Sequence, residues 1–87
     1  MNWHVYVLRS TKSGMWYVGA TNDLRKRLQE HNENKSTYTK GRGPFKLIYD
    51  EICANRDDAL ARERYLKSGM GRRYLRNRLK RFLSLTG

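Results

Sequence analysis

The spacing of apolar and polar residues at the start of the chain predicts two β-strands joined by a turn. The segment His4–Leu8 has the two-residue alternation and the β-forming composition that are typical of a strand. A short turn ends at Gly14, a residue that can adopt a positive φ, and a second β-forming segment returns over Met15–Gly19. This pattern predicts a β-hairpin.

The apolar spacing then changes to that of a helix. Leu24 and Leu28 lie four residues apart and form a stripe that can pack on a sheet. Thr21 or Asn22 can cap this helix, and the carboxylate of Asp23 suits the positive end of its dipole. We therefore expect a first helix immediately after the hairpin.

Residues 32–43 have no apolar periodicity and predict a basic loop. The composition of Phe45–Tyr49 predicts a third strand. A helix is expected to begin at Asp57 or Asp58 and to be broken by Ser68–Gly71.

A last helix is expected from about Arg72 to Leu83. The predicted order is strand, strand, helix, strand, helix, helix. This order is typical of an α+β fold with a three-stranded antiparallel sheet flanked by helices. A length of 87 residues allows one modest core, so we expect a single domain over residues 1–87.

The net charge of the chain indicates which class of partner it binds. The net charge is +11, from 19 Lys and Arg against 8 Asp and Glu. Residues 1–61 carry 10 basic and 7 acidic side chains, a net of +3, whereas residues 62–87 carry 9 basic and 1 acidic, a net of +8. This concentration of positive charge favours nucleic acid as the partner, ahead of an anionic membrane.

Cysteine use and hydropathy indicate the compartment. Cys53 is the single cysteine, which excludes an intrachain disulfide and favours a reducing cytoplasm. Its neighbours Ile52 and Ala54 favour a small buried hydrophobe over a nucleophile. The N-terminus lacks the apolar stretch of a signal peptide and no segment is typical of a membrane span, so we expect a cytoplasmic protein without membrane contact.

Five side chains are candidates for chemistry. Tyr6 and Tyr17 lie on the two predicted hairpin strands. Arg27 and His31 lie one turn apart on one face of the predicted helix, and Glu63 is the lone acid of the basic last third. Hydrolysis of a phosphodiester needs an activated nucleophile, neutralised phosphate charge and help for the leaving oxygen. Hydroxyls, a guanidinium, an imidazole and a carboxylate together suit that reaction.

Each candidate also has an ordinary structural interpretation. The tyrosines can be core aromatics with a bonded hydroxyl, Arg27 can be a solvated helix residue, and His31 can be structural. Glu63 can form a helix pair with Lys67, which is worth only about 0.3–0.5 kcal/mol. The residue types alone leave these alternatives open.

The chain resembles GIY-YIG nuclease domains over essentially its whole length. Five matches occur in the order of that family: His4–Tyr6 and Tyr17–Gly19 for the two motifs of its name, Arg27 for the catalytic arginine, His31 for a position used in the homing-endonuclease branch, and Glu63 for the metal-binding glutamate. Ten residues separate the tyrosines, and Arg27 falls eight positions after Gly19. The resemblance is closest to small stand-alone members, whose ending resembles Leu66–Arg73.

The resemblance has three departures. His4 replaces the first glycine of the first motif, at a position expected to be tolerant because its backbone should be ordinary strand. Ala20 stands where the repair-excinuclease branch has a lysine, so that cationic contact is absent. The late asparagine of the family has Asn77 as its nearby candidate.

The resemblance implies a role for each matched residue. Glu63 would bind Mg²⁺, with Mn²⁺ as a substitute, together with waters and the substrate phosphate. Tyr6 would be the base and Tyr17 the hydroxyl that positions water or phosphate, and nearby cations are needed because a phenol has a pKa near 10. Arg27 would hold the phosphate in the transition state. His31 would protonate the leaving oxygen or hold the scissile phosphate.

Two basic segments are expected to contact the nucleic-acid backbone. The loop before the third strand combines cations with an aromatic ring, and the last helix presents arginines around an apolar seam. The alternatives are a solvated loop and a membrane-surface helix. The predicted contacts are Lys35, Tyr38, Lys40, Arg42, Lys46, Arg72, Arg73 and Arg76.

The sequence therefore predicts a small Mg²⁺-dependent endonuclease that cuts DNA, directed by the structure of the substrate rather than by its sequence. DNA is favoured over RNA, and a protein partner would supply specificity or support a weak activity, for example in DNA repair. The alternative is a non-catalytic basic module of the same fold that binds DNA or RNA or joins a repair complex.

Overall fold

The computed structural model describes residues 2–36 and 39–86, except for the side chain of Thr86. Over these residues the chain forms three strands and four helices in the order β1 (Trp3–Ser10), β2 (Trp16–Thr21), α1 (Leu24–Asn32), β3 (Phe45–Cys53), α2 (Arg56–Lys67), α3 (Gly69–Arg78) and α4 (Lys80–Thr86). The predicted α+β class is confirmed, with one more helix than expected. None of the described helices has the length and apolarity needed to span a membrane.

The sheet is antiparallel, with β1 in the centre and β2 and β3 at its edges. Because side chains alternate along a strand, Val5 and Val7 point to one face of β1 and Tyr6 and Leu8 to the other. The register places Tyr6 opposite Gly19 of β2. The buried side chains are aliphatic on one face of the sheet and mainly aromatic on the other, so we call these the aliphatic face and the aromatic face.

Each face of the sheet is covered by a different set of helices. Helices α2 and α3 cover the aliphatic face, where the buried side chains are Val5, Val7, Val18, Ala59, Leu66 and Leu75. Helix α1 covers the aromatic face, where Leu24 and Leu28 pack against Tyr6, Leu8, Tyr17 and Phe45. The predicted stripe on α1 thus packs on the sheet as expected.

The helix starts differ from the prediction by one or two residues. Asp23, not Thr21 or Asn22, caps α1, because its carboxylate accepts a hydrogen bond from the backbone N–H of Lys26 at 3.1 Å. Asn55 caps α2 by accepting from the backbone N–H of Asp57 at 2.7 Å. The first helical residue of α2 is therefore Arg56, and the two aspartates lie within its first turn.

The predicted break after α2 is a single residue. Ser68 ends α2 and also caps α3, accepting a hydrogen bond from the backbone N–H of Gly71 at 3.2 Å. The predicted last helix is two helices, with Leu79 as the C-cap of α3 and α4 following it. A serine can end one helix and begin the next because one side-chain oxygen satisfies the first free amides of the second.

The basic loop between α1 and β3 is tied to the domain at several points. The side-chain oxygen of Asn32 accepts from the backbone N–H of Phe45 at 2.7 Å. The hydroxyl of Ser10 donates to the carbonyl of Arg42 at 2.7 Å, and Ser36 and Thr39 are buried. These contacts fix part of the loop against the aromatic face of the sheet.

Cys53, at the end of β3, packs against the aliphatic core while remaining partly exposed. Burial, followed by the charges of Glu51 and Asp58, raises the pKa of its thiol. A thiol with a raised pKa stays protonated, as expected for a small hydrophobe rather than a nucleophile.

Candidate functional site

Tyr6, on the central strand β1, lies at the centre of the candidate site. Gly19 is its cross-strand partner, and a Cβ atom built on Gly19 would overlap the hydroxyl and ring of Tyr6. The glycine of the second motif therefore leaves the space that the phenol of the first motif occupies. Tyr6 is only 3% exposed.

His31 lies in the last turn of α1 and holds the hydroxyl of Tyr6. Its Nε2 is 2.9 Å from the Tyr6 hydroxyl, and its Nδ1 is 2.6 Å from Oγ1 of Thr39. The imidazole also packs edge-on against the ring of Phe45, with centroids 6.1 Å apart. We call Tyr6, Arg27, His31 and Thr39 the tyrosine cluster.

The surroundings of His31 keep its ring neutral. Burial lowers the pKa of His31, the charge of Arg27 lowers it further, and only Glu30 opposes this. A neutral imidazole has one N–H donor and one acceptor nitrogen. Because both nitrogens are bonded and the ring is buried, His31 is better suited to holding Tyr6 than to donating a proton to a leaving oxygen.

Arg27 lies one turn before His31 on α1. Burial acts to lower the pKa of Arg27, but hydrogen bonds and charge interactions with Tyr6 and Glu30 outweigh it and raise the pKa above its usual value. The guanidinium lies 3.4 Å from the Glu30 carboxylate. It also borders an open groove of about 260 Å³ that reaches the end of β2 near Thr21, so this cation is accessible beside a buried phenol.

Tyr17 lies on the same face of the sheet as Tyr6, two residues before Gly19. Its ring meets the ring of Phe45 edge-on, with centroids 5.4 Å apart, and it is buried in the aromatic core. Packing around the ring fixes the direction of this side chain. The sequence-predicted pair of tyrosines is thus brought together on one face of the sheet.

Glu63 lies in the other helical layer, on α2. Its carboxylate forms an ion pair with Lys67 at 3.0 Å, and its side chain is 21% exposed in a groove formed with Leu60 and Arg64. Within the described residues, no hydrogen bond joins it to the tyrosine cluster. The structure therefore brings Tyr6, Arg27 and His31 into contact, whereas Glu63 lies on a helix that covers the other face of the sheet.

The direction in which Glu63 leaves α2 can be inferred from the contact made by the preceding residue, Arg62. Arg62 reaches Glu51 of β3, with Nε 2.7 Å from one carboxylate oxygen and Nη2 3.2 Å from the other. Successive residues of a helix are turned by about 100°, so Glu63 leaves α2 on the side away from β3. In a sheet ordered β2-β1-β3 that side faces β2, the strand of Tyr17 and Gly19.

The other acids near α2 are held by structural contacts. Glu51 accepts from Arg62 and, at 3.1 Å, from the Tyr49 hydroxyl. Burial, a hydrogen bond with Tyr74 and the charge of Glu51 raise the pKa of Tyr49 to about 12. Asp50 is bonded to His4 at 2.9 Å. Glu63, by contrast, is paired with a lysine of its own helix.

The predicted nucleic-acid contacts are distributed over several surfaces. The loop before β3 exposes Lys40 and Arg42, and Lys46 is exposed as the second residue of β3. Lys35 is paired with Glu33 at 3.0 Å. Tyr38 lies outside the described residues. Lys40 and Arg42 lie in the same loop as Thr39, whereas Lys46 alternates with Phe45 and therefore points to the other face of the sheet.

The arginines of α3 divide between two grooves. Arg72 and Arg76 line a groove of about 480 Å³ together with Trp16, Met15 and Leu83, and Nη1 of Arg72 donates to the carbonyl of Trp16 at 3.4 Å. Arg73 lines a separate groove, and Asn77 lies in that groove rather than beside the tyrosine cluster. We call the first of these the arginine groove.

The sequence pattern predicts no role for Thr39 or Glu30, and it predicts Gly19 only as part of a motif. Thr39 lies in a polar loop without periodicity, so no spacing rule links it to His31. Glu30 lies three residues after Arg27 on a predicted helix, and that spacing is the signal that could have paired them. The role of Gly19 needed the cross-strand register, which fixes what lies opposite it.

A three-stranded α+β domain that gathers a buried phenol, an imidazole and a guanidinium beside a strand glycine defines a class of catalytic domain. A family model described as the GIY-YIG catalytic domain matches residues 2–78. The chain belongs to this family, which supports a nuclease-type function with nucleic acid as the substrate class.

The relatives of the chain are small proteins. The UPF0213 protein CPE1444 of Clostridium perfringens (strain 13 / Type A) is 43% identical over 65 residues, which are 74% of this chain and 69% of that protein. The UPF0213 protein YazA of Bacillus subtilis (strain 168) is 40% identical over 67 residues, 76% of this chain and 68% of that protein. The solution NMR structure of the UPF0213 protein BH0048 from Bacillus halodurans covers all of this chain and 87% of that chain, with 33% identity and a TM-score of 0.49.

Proposed function

We propose that this protein is a metal-dependent endonuclease that hydrolyses phosphodiester bonds in DNA and selects its substrate by structure rather than by sequence. The observation that carries the proposal is the convergence of His31 and Arg27 on the phenol oxygen of Tyr6, in the space left by Gly19. A cation and an imidazole beside a phenol favour its deprotonated form. Tyr6 is then suited to accept a proton from water.

In the proposed reaction, deprotonated Tyr6 takes a proton from a water molecule as the water oxygen attacks phosphorus. A new P–O bond forms, the bond from phosphorus to the leaving oxygen breaks, and that oxygen takes a proton from solvent. Arg27 binds the non-bridging phosphate oxygens, because its charge is permanent and its planar fork matches them. His31 orients Tyr6, and Tyr17 positions the water or the phosphate.

We assign a divalent ion, Mg²⁺ or Mn²⁺, to Glu63. The described residues contain no cluster of three or more acidic, histidine or cysteine side chains that would form a preassembled metal site. A single partly exposed carboxylate nevertheless fits Mg²⁺, since this ion commonly keeps several waters and binds the substrate phosphate. When bound, the ion supplies neutralisation of phosphate charge. For this the carboxylate must exchange its pairing with Lys67.

The arginine groove supports nucleic acid as the substrate and its structure as the basis of selection. Arg72 and Arg76 supply charge for the phosphate backbone, and Trp16 and the exposed Met15 supply an apolar surface for an unpaired base. An apolar surface beside cations suits an unpaired base better than a base that is stacked within a duplex. We therefore favour branched or single-stranded DNA, with a protein partner as the source of further specificity.

The test is cleavage of plasmid, single-stranded and branched DNA by the purified chain, with and without Mg²⁺ or Mn²⁺. We expect strand scission only with metal, and more on branched or single-stranded DNA. Glu63→Gln should lower the rate on the order of 100-fold. The matched control is Glu33→Gln, which alters an exposed glutamate that also pairs with a lysine. Undiminished cleavage by Glu63→Gln would contradict the proposal.

A second candidate is a module that binds nucleic acid without cutting it. The pairing of Glu63 with Lys67 favours this candidate, because it makes Glu63 an ordinary helix residue. Salt-sensitive DNA binding with no scission under either metal, unaffected by Glu63→Gln, would identify it.

A further inference from the structure

Thr39 is the member of the tyrosine cluster that has no part in the proposed reaction. Its side chain is fully buried, and its Oγ1 lies 2.6 Å from Nδ1 of His31. The other ring nitrogen, Nε2, lies 2.9 Å from the Tyr6 hydroxyl. The three side chains thus form one hydrogen-bonded chain that ends at the proposed base.

The loop that carries Thr39 is fixed against the sheet. The backbone N–H of Arg42 donates to the carbonyl of Thr39 at 3.0 Å, and the carbonyl of Arg42 accepts from Ser10 of β1 at 2.7 Å. The hydroxyl of Thr39 is therefore held at His31 by tertiary contacts. This position fixes the distance between the Thr39 hydroxyl and the imidazole of His31.

Two arrangements of protons are compatible with these distances, because a neutral imidazole carries one N–H. In the first, Nδ1–H donates to Thr39 and Nε2 accepts the proton of the Tyr6 hydroxyl. In the second, the Thr39 hydroxyl donates to Nδ1 and Nε2–H donates to the oxygen of Tyr6. The two arrangements differ in whether Tyr6 gives or receives the hydrogen bond.

The deprotonated form of Tyr6 is compatible only with the second arrangement. Over residues 2–36 and 39–86, the Thr39 hydroxyl has one hydrogen-bond partner, Nδ1 of His31. With a neutral Tyr6, each arrangement leaves one hydroxyl hydrogen outside this chain, that of Thr39 in the first and that of Tyr6 in the second. Once Tyr6 is deprotonated, the second arrangement uses every hydrogen of the three side chains, whereas the first turns the lone pair of Nε2 toward the phenolate. A Thr39 hydroxyl that donates to Nδ1 is therefore the arrangement that the base form of Tyr6 requires.

We propose that Thr39 is a positioning residue that holds His31 in the Nε2–H tautomer, so that His31 donates to Tyr6 and favours its deprotonated form. This inference rests on the proposed function of Tyr6 as the base. A hydrogen bond to the charged form of a group stabilises that form. Arg27 acts on Tyr6 in the same direction, and Glu30, paired with Arg27, is the opposing charge on this helix.

The tautomer can be measured without any substrate. In ¹⁵N NMR spectra of histidine-labelled protein at neutral pH, the unprotonated ring nitrogen resonates far downfield of the protonated one. We expect Nδ1 of His31 to be the unprotonated nitrogen. A protonated Nδ1 with an unprotonated Nε2 would overturn the inference and leave the endonuclease proposal untouched.

Variants of Thr39 test the consequence for Tyr6. Thr39→Val keeps the side-chain shape and removes the hydroxyl, whereas Thr39→Ser retains the hydroxyl. We expect the rise of cleavage rate with pH to move to higher pH in Thr39→Val, with a loss on the order of tenfold at neutral pH, and to be restored in Thr39→Ser. Far-UV circular dichroism and melting temperature establish that both variants are folded.

The outcomes separate the two proposals. An unchanged pH profile in folded Thr39→Val would overturn the role of Thr39. A wild-type chain that cuts no DNA would overturn the endonuclease, and the NMR measurement would still decide the tautomer.

Discussion

At the scale of single residues, the tyrosine cluster is defined by what surrounds each polar group. His31 is enclosed by Phe45, bonded at both nitrogens, and faced by the cation of Arg27. A protonated imidazole in this place would lose solvation and face a like charge. The cluster therefore depends on His31 remaining neutral, and this requirement has a measurable effect on stability.

We predict that the protein loses stability on acidification and that His31 is responsible for part of the loss. The pKa of His31 in the folded protein is lowered from its ordinary value of 6.5. Between these two values the unfolded chain binds more protons than the folded one, so stability is fully present above about pH 6.5 and falls as the pH drops below it. The slope approaches about 1.4 kcal/mol per pH unit for one such group.

Urea unfolding of the wild type and of His31→Asn between pH 5 and 7.5 tests this prediction. The variant should be less stable at neutral pH, because asparagine cannot reproduce the packing and both hydrogen bonds of the ring, but its stability should depend less on pH. His4→Asn is the matched histidine variant. An equal pH slope in wild type and His31→Asn would show that His31 is not buried in its neutral form.

Three of the cluster residues could be predicted from sequence because they lie on regular elements. Tyr6 follows from strand alternation, and Arg27 and His31 follow from their spacing of one turn on a helix face. Thr39 could not be predicted, since its contact with His31 depends on the path of an irregular loop. The position of Glu63 in the other helical layer depends on how α2 packs over the sheet, which no local pattern encodes.

At the scale of elements, the contact between α2 and α3 is set by Gly71. A Cβ atom built on Gly71 would overlap the backbone carbonyl oxygen of Tyr65 and would lie 2.5 Å from the Cα atom of Leu66. The two helices therefore approach through backbone, immediately after Ser68. Gly69, two residues earlier, has nothing within 4 Å of a built Cβ atom.

We predict opposite effects for alanine at these two glycines. Gly71→Ala should destabilise the domain by about 1–3 kcal/mol or more, because the clash is with backbone that cannot rotate away. Gly69→Ala should be neutral or should stabilise by about 0.5–1 kcal/mol, because alanine favours a helix. Thermal or urea unfolding of both variants measures the difference. A Gly71→Ala variant as stable as Gly69→Ala would mean that α2 and α3 are not in backbone contact.

The elements themselves were largely predictable, and their junctions were not. Alternation and helical spacing are local signals, so the hairpin, α1 and α2 follow from them. No glycine or proline in the sequence marks the division of the predicted last helix into α3 and α4 at Leu79. Likewise, β3 continues to Cys53 through Asp50 and Glu51, whose charges are satisfied by His4 and Arg62.

At the scale of the whole molecule, positive charge lies on more than one surface. The exposed cations of the loop before β3 lie next to the tyrosine cluster, whereas the arginine groove lies between α3 and the start of β2. A nucleic acid that binds to both surfaces would extend beyond the proposed point of cleavage. The +8 charge of residues 62–87 would then contribute to affinity rather than to chemistry.

We predict that removing charge from the arginine groove weakens DNA binding without changing the chemical step. Removal of one cation that neutralises a phosphate should reduce the slope of log K against log salt by about 1. Arg72→Gln/Arg76→Gln should therefore bind DNA more weakly with a slope lower by about 2, while single-turnover cleavage at saturating protein stays near the wild-type rate. Fluorescence anisotropy over a range of salt concentrations measures the slope.

The control for this double variant is Arg56→Gln. Arg56 is a cation of α2 that lies over the ring of Trp3 and near Asp57, so its charge is already balanced locally. If the groove binds the backbone, Arg56→Gln leaves the salt slope unchanged and the double variant lowers it. Equal slopes in all three proteins would place the DNA elsewhere, and the loop cations Lys40 and Arg42 would then be the next to neutralise, because they lie in the same loop as Thr39.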